Sequence, residues 1–334
     1  MLCYIITMIN TKWHPELFQG RKSKAPYFEG WYFKQIDTKG RMLAVIPGIQ
    51  KETDKKSAFI QLIYGSPPKS EYIPYHYQSF SSREDNLHIQ IDESFFSEKD
   101  FVLDLQNGGT LNVTGELLFS NTVPVESRLF SPGIMGWYQL APRMECLHGL
   151  VSADHQVNGS LMLNGEEWLF NDSPGYIEKD WGRSFPQTWI WTQSNSFPNS
   201  PGTSVMLSVA RIPWMGRFFT GFLGFIYHEK KMYRFGTYTG HKITGLKISD
   251  TGAEINIHGR KTSVDFSLEK GRTAILKAPA EGRMNRDIEE SSTGRLSFRL
   301  MSADSPVIAE SEGYPAGVEI VGNTDILLEG LKLI

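Results

Sequence analysis

Short stretches in which apolar residues alternate with polar ones recur along the whole chain, and they set its expected architecture. Residues 59–64, 88–91, 101–105, 110–119, 160–163, 204–210, 222–228, 243–248, 254–258, 263–268 and 296–301 are strand-like. Between them fall turn signals such as Asn107-Gly108-Gly109, Asn158-Gly159, Asn164-Gly165 and Thr251-Gly252. Strands this short, punctuated this regularly, predict antiparallel barrels or sandwiches. A helical period is scarce. Residues 284–290 hold the best short example, which is also readable as a turn.

The pattern is densest from residue 176 to 197, where the charged run Glu178-Lys179-Asp180 leads into large aromatics at alternate positions. An extended backbone there places Trp189, Trp191, Gln193 and Asn195 on one face, the make-up of a mostly apolar pocket wall with a few polar anchors. Trp31-Tyr32-Phe33-Lys34-Gln35 shows the same aromatic and Gln spacing 158 positions earlier (189 minus 31), close to half the chain. A duplicated domain accounts for the echo. The expected division is an N-terminal extension over 1–12, a first barrel over 13–173 and a second over 174–334. The break falls at Asn171-Asp-Ser-Pro-Gly175, the 176–197 block opens the second barrel, and Glu178-Lys179-Asp180 forms a turn at the junction.

Length agrees, since 334 residues suffice for two domains of roughly 150. With 40% hydrophobic residues, 21% charged residues and a net charge of −3, no block of like charge points to nucleic acid or to a charged membrane surface. Two cysteines, Cys3 and Cys146, rule out a disulfide framework and favour a reducing, cytoplasmic setting. Residues 1–10 are apolar but lack a basic leader and a cleavage site, and Met8 is an alternative start. No apolar run reaches the roughly 18 residues of a spanning helix. Stable membrane insertion is therefore not expected, and contact with a membrane would be transient.

Candidate chemistry gathers at three places. Glu178 and Asp180 lie beside Tyr176, Trp181 and Phe185, so a carboxyl there can be held against apolar surface with a raised pKa, or can pair with Lys179 in solvent. Glu29 shares a strand face with Trp31, Phe33 and Gln35; if that face is a barrel interior, the carboxylate needs a partner or a function, and otherwise it sits at a rim. Met144-Glu145-Cys146-Leu147-His148 contributes Glu145 and His148 as further pocket polar groups, without the spacing of a metal site. No Gly-x-Ser-x-Gly elbow, Walker motif or dinucleotide glycine motif appears, which sets aside hydrolase, kinase and Rossmann readings. Neither metal nor cofactor is expected.

Phe28-Glu-Gly-Trp-Tyr-Phe33, Gly136-Trp-Tyr138, Met144-Glu-Cys-Leu-His-Gly149, Gly175-Tyr-Ile-Glu-Lys-Asp-Trp-Gly182, Ser184-Phe-Pro186, Trp189-x-Trp-x-Gln-x-Asn195 and Ala278-Pro-Ala-Glu-Gly-x-Met284 resemble, in this order, the tocopherol cyclase family. That family is similar to two-domain lipocalin-like proteins that include carotenoid hydratases and fungal cyclases. The resemblance implies an all-β protein of two tandem lipocalin-like antiparallel barrels packed together, with little helix, acting on a prenylated aromatic or isoprenoid. Chromanol closure adds a phenol oxygen to a trisubstituted alkene. It needs a proton donor, aromatic faces toward a tertiary cation and a polar group for the phenol. On this reading Glu178, Asp180 or Glu29 donates the proton, while Trp31, Trp181, Trp189 and Trp191 line the substrate. Gln193, Asn195 or Glu29 holds its head group, with Glu145 and His148 as further polar groups of the substrate pocket. The rival reading is a carrier of a lipid or terpenoid, in which the same carboxylates pin the two barrels together.

Overall fold

The computed structural model describes residues 11–107, 111–127, 129, 131–214, 216–304, 306–329 and 331. Residues 1–10 with Cys3 and Met8, the Gly108-Gly109 turn and Thr110 lie outside them. The described chain forms two antiparallel sheets. The first comprises β1 (Tyr27–Ile36), β2 (Met42–Lys51), β3 (Lys56–Tyr64), β4 (Lys69–His76), β5 (Phe80–Ser82), β6 (His88–Ile91), β7 (Ser94–Ser97), β8 (Asp100–Asn107), β9 (Leu111–Ser120), β10 (Cys146–Leu163) and β11 (Glu166–Gly182). The second comprises β12 (Trp189–Ser194), β13 (Ser204–Trp214), β14 (Arg217–His228), β15 (Lys231–Gly236), β16 (Lys242–Ser249), β17 (Gly252–His258), β18 (Thr262–Glu269), β19 (Thr273–Ala280), β20 (Arg283–Ser302) and β21 (Val307–Val321).

Both sheets follow one path. Four consecutive strands run back from the first strand to one edge, and the first strand pairs with the last, β1 with β11 and β12 with β21. Each sheet curls around its own core. Trp31, Phe33, Ile60, Ile89, Phe96, Phe101 and Leu117 fill the first, and Ile190, Leu207, Ile255, Phe266, Phe298 and Val318 fill the second. A third apolar cluster, with Tyr32, Tyr176, Trp189, Trp191, Phe225 and Ile288, lies between them. It is built from the outward faces of both sheets, because a strand sends successive side chains to opposite sides.

Three sequence expectations need adjustment. Residues 284–290 are strand, the opening half of β20, where they pair with β19. Their burial alternates along the strand, but inward positions are held by Arg286 and Glu290, so the two-residue period is hidden in the sequence. Residues 176–182 belong to β11 in the first sheet, so Glu178-Lys179-Asp180 is strand and not a turn; position 173/174 falls inside β11, and the chain changes sheet between Gly182 and Trp189. The 158-residue echo also pairs residues of opposite facing. Trp31 points into its own barrel while Trp189 points out of its barrel. Tyr32 meets Trp191 edge-on at 5.6 Å and Lys34 bonds Gln193, partners 159 positions apart. A one-position slip inverts every side chain of a strand, which is why the echo misled on direction.

Candidate functional site

The outward faces of the two sheets enclose a cleft of about 170 Å³ whose exposed lining is mainly apolar. From the first sheet come Phe28, Gly30 and Tyr32 of β1 and Glu178 and Asp180 of β11, with His148 and Cys146 of β10. From the second come Trp189 and Trp191 of β12, Ala210 and Ile212 of β13, Ile288 and Glu290 of β20, and Glu319 of β21. Four contacts stitch the walls: Gln61 Nε2 donates to the Lys277 carbonyl at 3.2 Å and its Oε1 accepts from Lys277 N at 2.8 Å, while Lys34 Nζ donates to Gln193 O at 3.0 Å and to its Oε1 at 2.6 Å.

Alternation in β11 sets the site. Tyr176, Glu178 and Asp180 project to the side between the sheets, where Glu178 and Asp180 line the cleft and Tyr176 packs in the apolar cluster, whereas Ile177, Lys179 and Trp181 project into the first barrel or its end. Tyr176 donates its hydroxyl to Glu178 Oε2 at 2.6 Å. The adjacent strand pairs His148 with Asp180, so the imidazole lies between two carboxylates, with Nδ1 2.9 Å from Asp180 Oδ1 and Nε2 3.5 Å from Glu178 Oε2. Burial disfavours its charge, but Asp180 and Glu178 together outweigh that and raise His148 to about 9. Glu178 is raised to about 7 by burial, with His148 pulling the other way and Asp180 adding to the rise. The three side chains offer ligand atoms within 4.8 Å of one another, a cation-sized group. The bond between His148 Nδ1 and Asp180 Oδ1 accounts for the closeness of these groups by hydrogen bonding alone.

Two more buried carboxyls face this group from the second sheet. Glu290 accepts from the Tyr32 hydroxyl at 2.7 Å and is raised to about 7 by burial, against the pull of Tyr32 and Lys34. Glu319 accepts from Trp189 Nε1 at 2.5 Å and is pushed well up by burial and by Glu290. Three carboxyls in one apolar space cannot all ionise cheaply, so protons are retained there near neutrality. The indole N–H of Trp191 has no well-aligned partner, yet lies close enough to Glu178 to favour its ionised form. Trp189 carries the Arg286 guanidinium 4.8 Å from its ring, which leaves Trp191 and Tyr32 as the π faces not already engaged by that cation.

The structure brings together Glu178, Asp180, His148, Trp189 and Trp191 of the residues singled out from sequence. Glu29, Trp31 and Trp181 are directed into the first barrel and its end. There Glu29 bonds Lys179 at 2.6 Å, Tyr27 Oη at 2.5 Å and Gln19 N at 2.8 Å, and the Lys179 ammonium sits 4.7 and 4.8 Å from the indoles of Trp31 and Trp181. Gln193 is a seam residue on Lys34, Asn195 is buried with no partner for its amide, and Glu145 is half-buried beyond the lining. Sequence reasoning missed Tyr32, Lys34, Tyr176, Glu290 and Glu319. Glu319 left a readable signal, a lone acid in the apolar stretch Val318-Glu319-Ile320-Val321.

Two curled, lipocalin-like sheets with a polar cluster between them define the class, and comparison with known proteins supplies the family. Residues 128–322, more than half of the chain, match the family "Tocopherol cyclase-like", and the protein belongs to it. A probable chloroplastic tocopherol cyclase of Oryza sativa subsp. japonica is 30% identical over 109 residues, and the chloroplastic tocopherol cyclase of Zea mays is 29% identical over the same length. These matches cover 31% of this chain and 23% of each relative, so the shared stretch spans under a quarter of either plant protein. Among solved structures, a putative AttH from Nitrosomonas europaea aligns with a TM-score of 0.52 at 12% identity, over 91% of this chain and 98% of that one. CghA with Sch210972 aligns at 0.53 and 10%, over 89% of each. At these identities the structures speak for the fold alone.

Proposed function

We propose that the protein is an acid-catalysed cyclase or hydratase that acts on the alkene of a prenylated aromatic or other isoprenoid bound between the barrels. Membership of the tocopherol cyclase-like family supports this class of reaction. The observation that carries it is the placement of Glu178, raised to about 7, in the same cleft as Trp189 and Trp191. A carrier needs the aromatic wall but no sequestered acid.

In this scheme the Glu178 carboxyl gives its proton to the less substituted alkene carbon, and positive charge develops on the tertiary carbon. Trp191 and Tyr32 present π faces to that charge. The carboxylate left behind is stabilised by the protonated His148, which Asp180 orients, and by the Tyr176 hydroxyl. A phenol or water oxygen then bonds to the tertiary carbon, and its proton returns to a carboxylate of the cluster. The phenol route gives an isomer of the substrate and the water route gives its hydrate, with no change of oxidation state in either.

The test is incubation with a panel of prenylated quinols and terpenoids, read by mass spectrometry. An isomer or a gain of water supports the proposal, and Glu178→Gln should slow product formation by about 10²- to 10⁴-fold while ligand binding persists. Recovery of bound, unchanged ligand from every member of the panel would overturn it in favour of a carrier.

A further inference from the structure

One end of the cleft is closed and the other is not. Lys34, Thr192 and Gln193 are fully buried at the closed end. Strand registers place the opposite end at Phe28 beside Gly182, Trp189 beside Ala210 and Ile212 beside Phe219, where Phe185 and Ile212 are half-buried. Two segments border that mouth. The β13–β14 hairpin continues outward past Ile212, and the single 3₁₀ turn Gly136–Leu140 follows Met135, another lining residue. Tyr138 joins them, 6.2 Å from Phe219 and 4.2 Å from Trp137.

The composition of this rim differs from the rest of the chain. Residues 136–143 and 211–219 contain five aromatics (Trp137, Tyr138, Trp214, Phe218 and Phe219), three arginines (Arg143, Arg211 and Arg217) and no Asp or Glu, in a protein of net charge −3. Trp137 is 51% exposed and Phe218, at the hairpin tip on the face opposite Phe219 and with Arg211 4.5 Å from its ring, is 54% exposed; Arg143 and Arg217 are exposed as well. Among the described residues, the ion pair formed at the rim is Arg211 with Glu329, at 3.7 Å, the carboxylate itself largely in solvent. Large aromatics left in water near Arg143 and Arg217, which form no ion pair among the described residues, on a hairpin tip and the neighbouring turn, match the interfacial zone of a membrane, where rings enter the headgroup layer and guanidinium groups meet phosphate.

We propose that the rim formed by Trp137, Phe218, Arg143 and Arg217 docks on the surface of an anionic lipid bilayer, with the mouth of the cleft turned toward the lipid. The bilayer fits better than a nucleic acid, which would engage the arginines but not the exposed apolar rings. It also places the apolar entrance where an apolar ligand would be dissolved. The surface is independent of the reaction proposed above, so the two can fail separately.

The experiment is sedimentation of the whole chain with phosphatidylcholine vesicles, with and without phosphatidylglycerol, at low and high salt. Partition onto phosphatidylglycerol-containing vesicles that weakens with salt is expected. Arg143→Glu with Arg217→Glu should lower it by at least about 25-fold, taking roughly fivefold per charge near the surface, and Trp137→Ser with Phe218→Ser should lower it by about tenfold. All four positions are surface ones, so unchanged thermal unfolding verifies the fold, and conversion of detergent-dispersed substrate should stay at the wild-type rate. Absence of partition by the wild type, or partition undiminished in both double variants, would overturn the proposal. Loss with the arginine pair alone, matched by equal affinity for DNA, would also overturn it and leave a plain polyanion site.

Discussion

Glu178 and Glu29 are both buried carboxylates on neighbouring strands, and their surroundings give them opposite work. Glu29 has a full set of partners, Lys179 at 2.6 Å together with Tyr27 and the Gln19 amide, and Lys179 is further held by the carbonyls of Pro15 and Leu17. Removing one member of a buried pair strands the other, so Lys179→Met should cost about 3–5 kcal/mol in denaturant unfolding, while the fraction that remains folded keeps its activity. Glu178→Gln should behave conversely, losing turnover with stability kept. The pocket carboxyls also carry a pH signature. Glu290 rises from 4.5 to about 7 on folding, chiefly through burial, so the folded chain holds a proton across that window that the unfolded chain has released. Its contribution to stability is therefore full below about 4.5 and is lost as pH rises through about 7. Glu290→Gln should flatten the stability profile across that window when unfolding is followed at a series of pH values. An unchanged slope would show that the carboxyl is solvated.

Strands explain both what the sequence disclosed and what it hid. The eleven strand-like stretches all fall within observed strands as far as they are described, because one face of each meets a barrel core and the other meets solvent or the seam. The facing of Trp189, Trp191 and Gln193 was legible for the same reason. Glu290 was not, because along 284–290 the inward positions of β20 include the polar residues Arg286 and Glu290 alternating with exposed Asn285, Asp287 and Glu289, and burial then continues through Ser291 and Ser292. Such a stretch has no clean period. β21 adds a constraint that no pattern announces. Gly317 lies opposite Gln193, and a Cβ there would stand 2.8 Å from Trp191 Cζ3 and 3.4 Å from Glu290 Oε1. Gly317→Ala must push the indole into the cleft. It should cost about 1–3 kcal/mol as overpacking and alter tryptophan fluorescence on ligand binding, whereas the same change at Gly202, which has open space around it, should leave the cleft undisturbed.

At the scale of the molecule, the two barrels meet through faces that an isolated lipocalin-like sheet would turn to water, and the meeting is polar at its centre. Lys34 shows what that requires. Its ammonium is fully enclosed and spans the seam to the backbone and side chain of Gln193, and burial lowers it to about 7 despite the nearby Glu290 and Glu178. Between about 7 and its ordinary 10.5 the unfolded chain holds a proton that the folded chain has shed, so this residue burdens the fold fully below 7 and the burden lifts as pH rises toward 10.5. Lys34→Met removes that burden but leaves Gln193 Oε1 without a donor, a loss of about 1–3 kcal/mol. The two changes act in opposite directions, and only the first depends on pH, so the difference between variant and wild type should shift as pH rises from 7 to 10. Between pH 7 and pH 10 the wild type should gain on the variant by an amount on the order of a few kcal/mol, because only its stability climbs. Denaturant unfolding of both proteins at the two pH values reads this difference directly. A variant that lost stability equally at both would mean that Lys34 acts as an ordinary hydrogen-bonding pin, and that the seam is held without a titrating centre.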